Sequence, residues 1–464
     1  MPRRLIRNID WIVTVDGSRR MIADGAIAIN GDRIAAIGKS SAVEREFAAD
    51  EIIDGRGLIA MPGLIDTCVA SVHQLGRGVA DFCDIPKFML ERTLVYEAAL
   101  TAKDAAAATL ACQLEMIRSG TTCFVDSGSR FTETIADAAI ETGLRAMVTR
   151  ACYDEFDTLM GSFPAAFARE SADETLHQAR ASINHIRGLG CDRVQAALAL
   201  PWVAAASDLL CKQVSDLART MSVRVIAAAG RSRDDAVACR RQHSRTEVNR
   251  LKAAGLLAPT SIIAHAGWTS PQDLVDLKAG DANVACCPSM SHRLGTGSLE
   301  LGRYPELLAF GANVTLGSGS AMASNYVDIA RQFFLFAGGA KTYRLDATIV
   351  PPETALEMAT IRAALALGLQ DHIGSLEVGK KADITMFQMA SADWAPAINP
   401  VANLVFSTRG GAHTVIVDGE VLLAAGKVCS LDEQSILEDS QKCADALIDR
   451  SGLRRFCSSR WALN

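Results

Sequence analysis

The feature that most constrains the fold is a regular alternation of short apolar runs and amphipathic segments through the middle of the chain. Eight runs have the length and composition of buried strands: 64–69, 121–126, 146–151, 195–200, 223–228, 261–266, 283–287 and 313–316. Helical periodicity fills the gaps, as in 98–119, 174–187, 207–221, 325–337 and 353–367. Eight strands that each lead into a helix predict a (β/α)8 barrel of the TIM type, with its functional residues at the carboxyl ends of the strands.

The two ends of the chain have a different sequence pattern, in which apolar and polar residues alternate in short runs. Asn30-Gly31 is a strong hairpin signal, and Gly25 and Gly38 stand at further turn positions. A sheet built from either end alone would leave an unpaired edge. We therefore expect one β-sandwich from residues 1–61 and 374–428, a barrel over 62–373, and a helical tail over 429–464.

Charge and composition limit the partners and the compartment. A net charge of −6 provides no basic footprint for nucleic acid. No apolar run reaches the roughly 20 residues that a membrane span requires, and the amino-terminal stretch lacks the apolar core of a signal peptide. Thirteen cysteines without regular spacing are typical of reduced thiols, so we expect a cytoplasmic protein.

One stretch carries a specific motif. Residues 61–78 read MPGLIDTCVASVHQLGRG, in which a Pro-Gly turn leads into the first barrel strand and a polar loop ends in Arg-Gly. This frame resembles the amidohydrolase superfamily, in the branch of nucleoside and heterocycle deaminases and triazine chlorohydrolases. In members of that branch, this stretch consists of Pro-Gly, two apolar residues, Asn or Asp, and then Thr-His-x-His. Here Cys68 and Ala70 occupy the two histidine positions.

The resemblance implies a hydrolase that holds one divalent metal with two first-strand histidines, a fifth-strand histidine and an eighth-strand aspartate. Such a metal acidifies its bound water, and a fifth-strand glutamate then moves the proton. Carried onto this sequence, the four ligand positions hold Cys68, Ala70, Ile226 and Gly319, and the glutamate position holds Ala229. One ligand cannot bind zinc tightly, so we expect no cofactor and no tightly bound metal.

The substrate-polarising histidine of the family is retained as His265, and Cys68 is the second catalytic candidate. Cys68 is a thiolate or, in the plainer interpretation, a buried inert thiol. His265 orients a ligand or is a satisfied core histidine. A cysteine–histidine mechanism needs the two side chains within hydrogen-bond reach, which strands one and six of an eight-stranded ring do not favour.

Four further residues are candidate ligand contacts: His73 in the loop after strand one, Trp202 and Trp268 near strand ends, and Cys286 on strand seven. Three of them have a plainer interpretation, which is solvent exposure for His73 and ordinary packing for the two tryptophans. Cys68, His265 and Cys286, together with His73, also form a set of soft ligands for a rebuilt zinc site. Their irregular spacing argues against that site.

Two functional hypotheses follow. The favoured one is a non-catalytic or regulatory amidohydrolase-fold protein that binds a small molecule in the barrel mouth or serves as a structural subunit. The alternative is a metal-independent hydrolase that acts on C–N or C–halogen bonds of a heterocyclic or amide-like substrate and uses Cys68 and His265. The resemblance also implies a homo-oligomer, and a partner subunit stays open.

Overall fold

The central sheet of the computed structural model, which describes residues 2–81, 83–408 and 411–457, has eight parallel strands. They are Leu64–Val69, Thr121–Asp126, Arg145–Ala151, Val194–Leu200, Arg224–Ala229, Ser261–His265, Asn283–Cys286 and Val314–Leu316. Each strand pairs with the next along the chain, and a bridge between Val69 and Gly319 joins the first strand to the end of the eighth. The predicted (β/α)8 barrel is confirmed, with every strand boundary within one residue of the prediction.

A second sheet takes strands from both ends of the chain. In the part of the chain that the structure describes, its nine strands are Arg3–Val13, Met21–Asn30, Arg33–Lys39, Glu51–Asp54, Leu58–Pro62, Ile384–Gln388, Thr414–Val417, Glu420–Ala424 and Lys427–Val428. Antiparallel pairing of Leu58–Pro62 with Ile384–Gln388 joins the two ends. Gly31 has a φ of +63° in the predicted hairpin turn. The hydrogen bonds connect the strands of both ends into one extra sheet, so the predicted joining of the two chain ends is confirmed.

Helices surround the barrel and cover its ends. The α-helices are Ser40–Glu46, Ile85–Lys87, Leu94–Ala99, Ala102–Ser119, Thr132–Thr142, Ala172–Gly188, Asp208–Met221, Arg233–His243, Glu247–Ala253, Pro271–Ala279, Pro288–Leu294, Ser298–Leu301, Tyr304–Ala309, Ala321–Ser324, Ile329–Arg344, Pro352–Met358, Ile361–Leu367, Pro400–Phe406 and Glu433–Arg450. A π-helix spans Phe88–Thr93, and 3₁₀ turns span Ser71–Gly76, Val203–Ala205 and Leu453–Phe456. A small hairpin pairs Asp157–Thr158 with Gly161–Ser162.

Two helices expected to be continuous are broken. The predicted helix 98–119 begins at Ala102, because Thr101 and Asp104 form a reciprocal capping box that starts a new helix. The predicted helix 353–367 is split into Pro352–Met358 and Ile361–Leu367. The first break places a separate short helix, Leu94–Ala99, over the barrel mouth.

A buried ion cluster joins the barrel to the second sheet. Arg145 begins the third barrel strand, and its Nε and Nη2 atoms donate to Asp383 at 3.0 and 3.1 Å. Nη2 also donates to Asp418 at 2.6 Å. All three side chains are less than one-tenth exposed. Since a buried charge must be paired, this cluster holds the two sheets in one relative position.

The carboxyl-terminal helix Glu433–Arg450 packs on the barrel helix Ala102–Ser119. Arg118 and Glu433 form an ion pair at 2.8 Å, and Arg450 donates to the Ala99 carbonyl at 2.8 Å. The part of the predicted tail beyond residue 457 lies outside the described residues. Within the described ranges, no helix is both long enough and apolar enough to cross a membrane.

Candidate active site

The mouth cavity is a cavity of about 90 Å³ at the carboxyl ends of the barrel strands. Strand-end residues Cys68, His265 and Gly319 form part of its wall, and the segment from Phe88 to Glu97 covers it. Small-molecule sites commonly measure roughly 300–1,000 Å³, so the covering segment leaves room for no more than a small fragment. Three sequence candidates, Cys68, His73 and His265, line this one cavity.

His73 forms a hydrogen-bonded pair with a carboxylate at the cavity wall. It lies on the 3₁₀ turn Ser71–Gly76, and its Nε2 is 2.8 Å from Glu97 Oε1. The ring of Tyr96 meets the His73 ring edge-on, with 5.8 Å between centroids, and the Tyr96 hydroxyl donates to the Val72 carbonyl. His73 is therefore 9% exposed and held in one orientation. Glu97 was not a sequence candidate, since a lone glutamate in a short helix carries no motif.

His265 ends the sixth strand in a strained backbone conformation. Its φ is +73°, and that of Ala266 is +49°, which is uncommon for residues other than glycine and is concentrated at functional sites. The Tyr304 hydroxyl donates to the His265 carbonyl and holds this turn. No described residue hydrogen-bonds to the imidazole ring. Burial, and secondly the Arg231 guanidinium, lowers the pKa of His265 to about 3, so the ring is neutral near pH 7.

Arg231 follows the fifth strand and also lines the mouth cavity. Its Nε and Nη2 atoms donate to Asp235 at 3.2 and 3.0 Å, and Nη1 donates to Met89 Sδ at 3.1 Å. Asp235 accepts a further hydrogen bond of 2.8 Å from Trp202 Nε1. Nothing in the family motif points to Arg231, which was not a sequence candidate.

The other three candidate ligand contacts do not line the mouth cavity. Trp202 is 1% exposed, stacks on Phe163 and donates to Asp235. Trp268 donates to the Thr296 carbonyl at 2.7 Å beside a separate crevice. Cys286 is buried, and burial raises the pKa of its thiol. The structure thus assigns these side chains to packing around the barrel rather than to the mouth.

Cys68 and His265 share the cavity wall, yet no hydrogen bond joins their side chains in the described part of the chain. Just behind Cys68, the fully buried Asp66 accepts hydrogen bonds of 3.1 Å from the backbone N–H groups of Cys68 and Ser318. The Ser318 hydroxyl donates to the second carboxyl oxygen. Burial raises the pKa of Asp66 to about 7.

The donor set at the mouth does not fit the divalent metal that the resemblance implies. The resemblance places Ala70, Ile226 and Gly319 at three ligand positions, and these residues line the cavity without a ligating side-chain atom. Gly319 has a φ of +78°, and a Cβ there would lie 3.3 Å from the Met290 Cβ. Over residues 2–81, 83–408 and 411–457, no group of three or more His, Cys, Asp and Glu side chains is arranged to hold a metal ion. That result covers the rebuilt cysteine–histidine zinc site as well.

The sequence profile of the Amidohydrolase family matches residues 59–422. The chain belongs to the amidohydrolase family. A 5-methylthioadenosine/S-adenosylhomocysteine deaminase from Moorella thermoacetica is 30% identical over 426 residues, which are 92% of this chain and 95% of that protein. A 5'-deoxyadenosine deaminase from Methanosarcina mazei is 28% identical over 96% of this chain and 98% of its own length.

Solved structures share the fold along nearly the whole chain. An adenosine deaminase from Xanthomonas campestris with bound zinc superposes with a TM-score of 0.89 at 23% identity and covers 96% of this chain and 98% of its own. The zinc complex of atrazine chlorohydrolase from Arthrobacter aurescens TC1 has a TM-score of 0.86 at 21% identity and covers 95% and 100%. Identities this low show the fold alone.

The favoured sequence hypothesis, a non-catalytic homologue, is wrong. The relatives that match almost every part of this chain are named as deaminases, which hydrolyse a C–N bond. The alternative hypothesis of a hydrolase acting on C–N bonds fits these relatives better. The predictions of a cytoplasmic location and a homo-oligomer stay predictions.

Proposed function

We propose that the protein is an aminohydrolase that removes an amino group from a flat heterocycle of the purine nucleoside class without a catalytic metal. The observation that carries this proposal is the hydrogen-bonded pair of His73 and Glu97 in the wall of the mouth cavity. The full-length match to deaminases supports the reaction type. The missing ligand atoms at Ala70, Ile226 and Gly319 support a mechanism without the metal.

The reaction is the addition of water to a ring carbon that bears an amino group. The water oxygen bonds to that carbon while the C=N double bond of the ring opens onto nitrogen. The carbon–amino bond then breaks, and ammonia leaves as the carbonyl forms. One proton of the water passes to the ring nitrogen in the first step, and the other passes to the leaving amine in the second. Both steps therefore need a group that accepts a proton and returns it.

His73 has the arrangement that this role requires. Its Nε2–H donates to the Glu97 carboxylate, which leaves Nδ1 as the proton acceptor. Glu97 then stabilises the imidazolium that forms when His73 takes a proton from water, as the buried carboxylate of a catalytic triad does. The imidazolium returns the proton to the ring nitrogen or the amine.

His265 and Cys68 have other roles in this proposal. His265 is neutral and its ring has no hydrogen-bond partner among the described residues, so its N–H is available to orient the ring. Among the described residues, no base lies within hydrogen-bond reach of Cys68, and an attacking thiolate needs one. We therefore assign Cys68 to the cavity wall and not to covalent catalysis.

The test measures ammonia release from adenosine, 5'-deoxyadenosine and 5'-methylthioadenosine by the purified full chain, with and without a chelator. We expect turnover that the chelator does not change. Glu97→Gln should lower kcat by about 10²–10⁴-fold, because His73 then loses the carboxylate that stabilises its imidazolium and with it much of the value of general acid–base catalysis. Glu91→Gln is the matched control, since Glu91 is an exposed carboxylate on the same covering segment and does not line the cavity.

Three outcomes would contradict the proposal. The first is the absence of ammonia release from all three nucleosides. The second is turnover that a chelator abolishes and zinc restores, which would return the reaction to the family metal. The third is turnover that survives Glu97→Gln but is lost in Cys68→Ala, which would favour the cysteine mechanism.

A further inference from the structure

We propose that Arg231 binds a hydrogen-bond acceptor on the edge of the substrate ring, and that Met89 occupies this acceptor position while the mouth is closed. The identity of the ring rests on the proposed function, but the contact itself is measurable without turnover. It adds a substrate-binding residue that replaces part of what a metal centre would supply.

The guanidinium of Arg231 is incompletely satisfied. Arginine has five N–H donors. In Arg231, two of them donate to Asp235 and one donates to the Met89 sulfur. A thioether is a weak acceptor, and no described residue accepts from the remaining two N–H groups. Arg231 is only 5% exposed, so little water compensates them. A buried charged donor without a good acceptor is costly, which favours a ligand that supplies one.

The Arg231 side chain is also held in place before a ligand arrives. Asp235 receives hydrogen bonds of 2.8 Å from both Trp202 Nε1 and the Ser232 hydroxyl, so the carboxylate that orients the guanidinium cannot rotate freely. The Ser298 hydroxyl donates to the Arg231 carbonyl at 3.0 Å. Donors fixed in this way lose little entropy when they bind, which is the advantage of preorganisation.

The charge balance of the wall favours a neutral acceptor over an anion. Asp235 already neutralises Arg231, and His265 is neutral near pH 7. His73 and Glu97 form a pair of their own. An anion would be desolvated without a net positive partner, whereas a ring nitrogen or carbonyl oxygen gains a charge-assisted hydrogen bond.

Met89 belongs to the covering segment, which must move for a nucleoside to enter a cavity of about 90 Å³. It lies on the π-helix Phe88–Thr93, and π-helical turns are frequent at functional sites. Its sulfur sits 3.1 Å from Arg231 Nη1, at hydrogen-bond distance. Entry of a ring therefore exchanges a weak sulfur acceptor for a stronger nitrogen or oxygen acceptor.

The experiment measures dissociation constants by calorimetry with purine riboside, which has no amino group to lose, and with its 1-deaza, 3-deaza and 7-deaza analogues. Arg231→Lys should weaken purine riboside binding about 10- to 100-fold, the value of a hydrogen bond to a charged group. One deaza analogue should bind the parent and Arg231→Lys equally, because it lacks the acceptor that Arg231 contacts. An equal loss for all four compounds would overturn the proposal.

A second pair of variants tests the same contact if Arg231→Lys folds poorly. Met89→Glu places a carboxylate beside the guanidinium and should weaken purine riboside binding at least about 10-fold. Met89→Leu keeps the size without the sulfur and should bind as tightly as the parent or more tightly. Parent-like affinity in Met89→Glu would refute the contact. If the Arg231 and Met89 variants change purine riboside affinity as expected but the protein releases no ammonia, only the proposed function is rejected. If ammonia is released but these variants bind purine riboside as the parent does, only the Arg231 contact is rejected.

Discussion

Replacing Asp66 with asparagine should stabilise the protein, and more so as the pH rises. Asp66 is fully buried behind Cys68, where burial raises its pKa from 3.8 to about 7. Asparagine can keep the hydrogen bonds, because its carbonyl accepts from the Cys68 and Ser318 N–H groups while its amide donates to the Ser318 hydroxyl oxygen. Asp66→Asn therefore removes the ionisation and retains the geometry.

The sign follows from the direction of the shift. A carboxyl whose pKa is higher in the folded state binds a proton more tightly there, so the folded state is favoured at low pH. That stability is complete below the unfolded pKa of 3.8, declines as the pH rises toward about 7, and is lost above it. At about 1.4 kcal/mol per pKa unit, ionisation of Asp66 costs about 4 kcal/mol at alkaline pH.

The assay is urea unfolding of the parent and Asp66→Asn between pH 5 and pH 8. The gain in unfolding free energy should be larger at pH 8 than at pH 5 by about 3 kcal/mol, since part of the ionisation penalty is already present at pH 5. Asp439→Asn on the carboxyl-terminal helix controls for the loss of one exposed negative charge. A gain that stays constant with pH, or falls as pH rises, would refute the reasoning.

Three further predictions concern the frame around the site. Arg145→Met leaves the buried Asp383 without its cation and Asp418 with only the longer contacts to Lys381 and Arg193, at 3.5 and 3.9 Å. It should lower the unfolding free energy by about 3–5 kcal/mol in urea, and a loss under 1 kcal/mol would contradict the ion-cluster reasoning. Deleting residues 374–428 exposes the Leu58–Pro62 edge and should produce aggregation on size-exclusion chromatography, whereas a monomeric, cooperatively folded product would contradict the single sheet. Trp202→Phe removes the donor to Asp235 and should cost about 1–3 kcal/mol of stability in thermal unfolding, with the largest loss of affinity confined to ligands that contact Arg231.

The barrel could be predicted from the sequence because its strands are buried on both faces. Such strands are nearly continuous apolar runs, as at Ile262–Ala264, and their ends are marked where the run stops. The capping box of Thr101 and Asp104 also has a sequence signal, because the Thr-x-x-Asp spacing precedes an alanine-rich helix. The signal was missed because it lies within a longer segment of helical periodicity.

Only part of the candidate site could be predicted from the sequence. Residues at strand ends, such as Cys68 and His265, could be found because a barrel brings all its strand ends to one face. Trp202 and Trp268 were candidates for the same reason, yet their N–H groups are bound to Asp235 and to the Thr296 carbonyl. Whether an aromatic side chain near a strand end turns inward or packs outward depends on partners that are distant in sequence.

The sequence by itself determined the barrel and the joining of both chain ends. Only the tertiary structure decided which side chains meet in the mouth. His73 and Glu97 are 24 residues apart, and Arg231 and Met89 are 142 apart. Strands are specified by local runs of apolar residues, whereas a hydrogen bond between a loop and a covering helix exists only once the whole ring has closed.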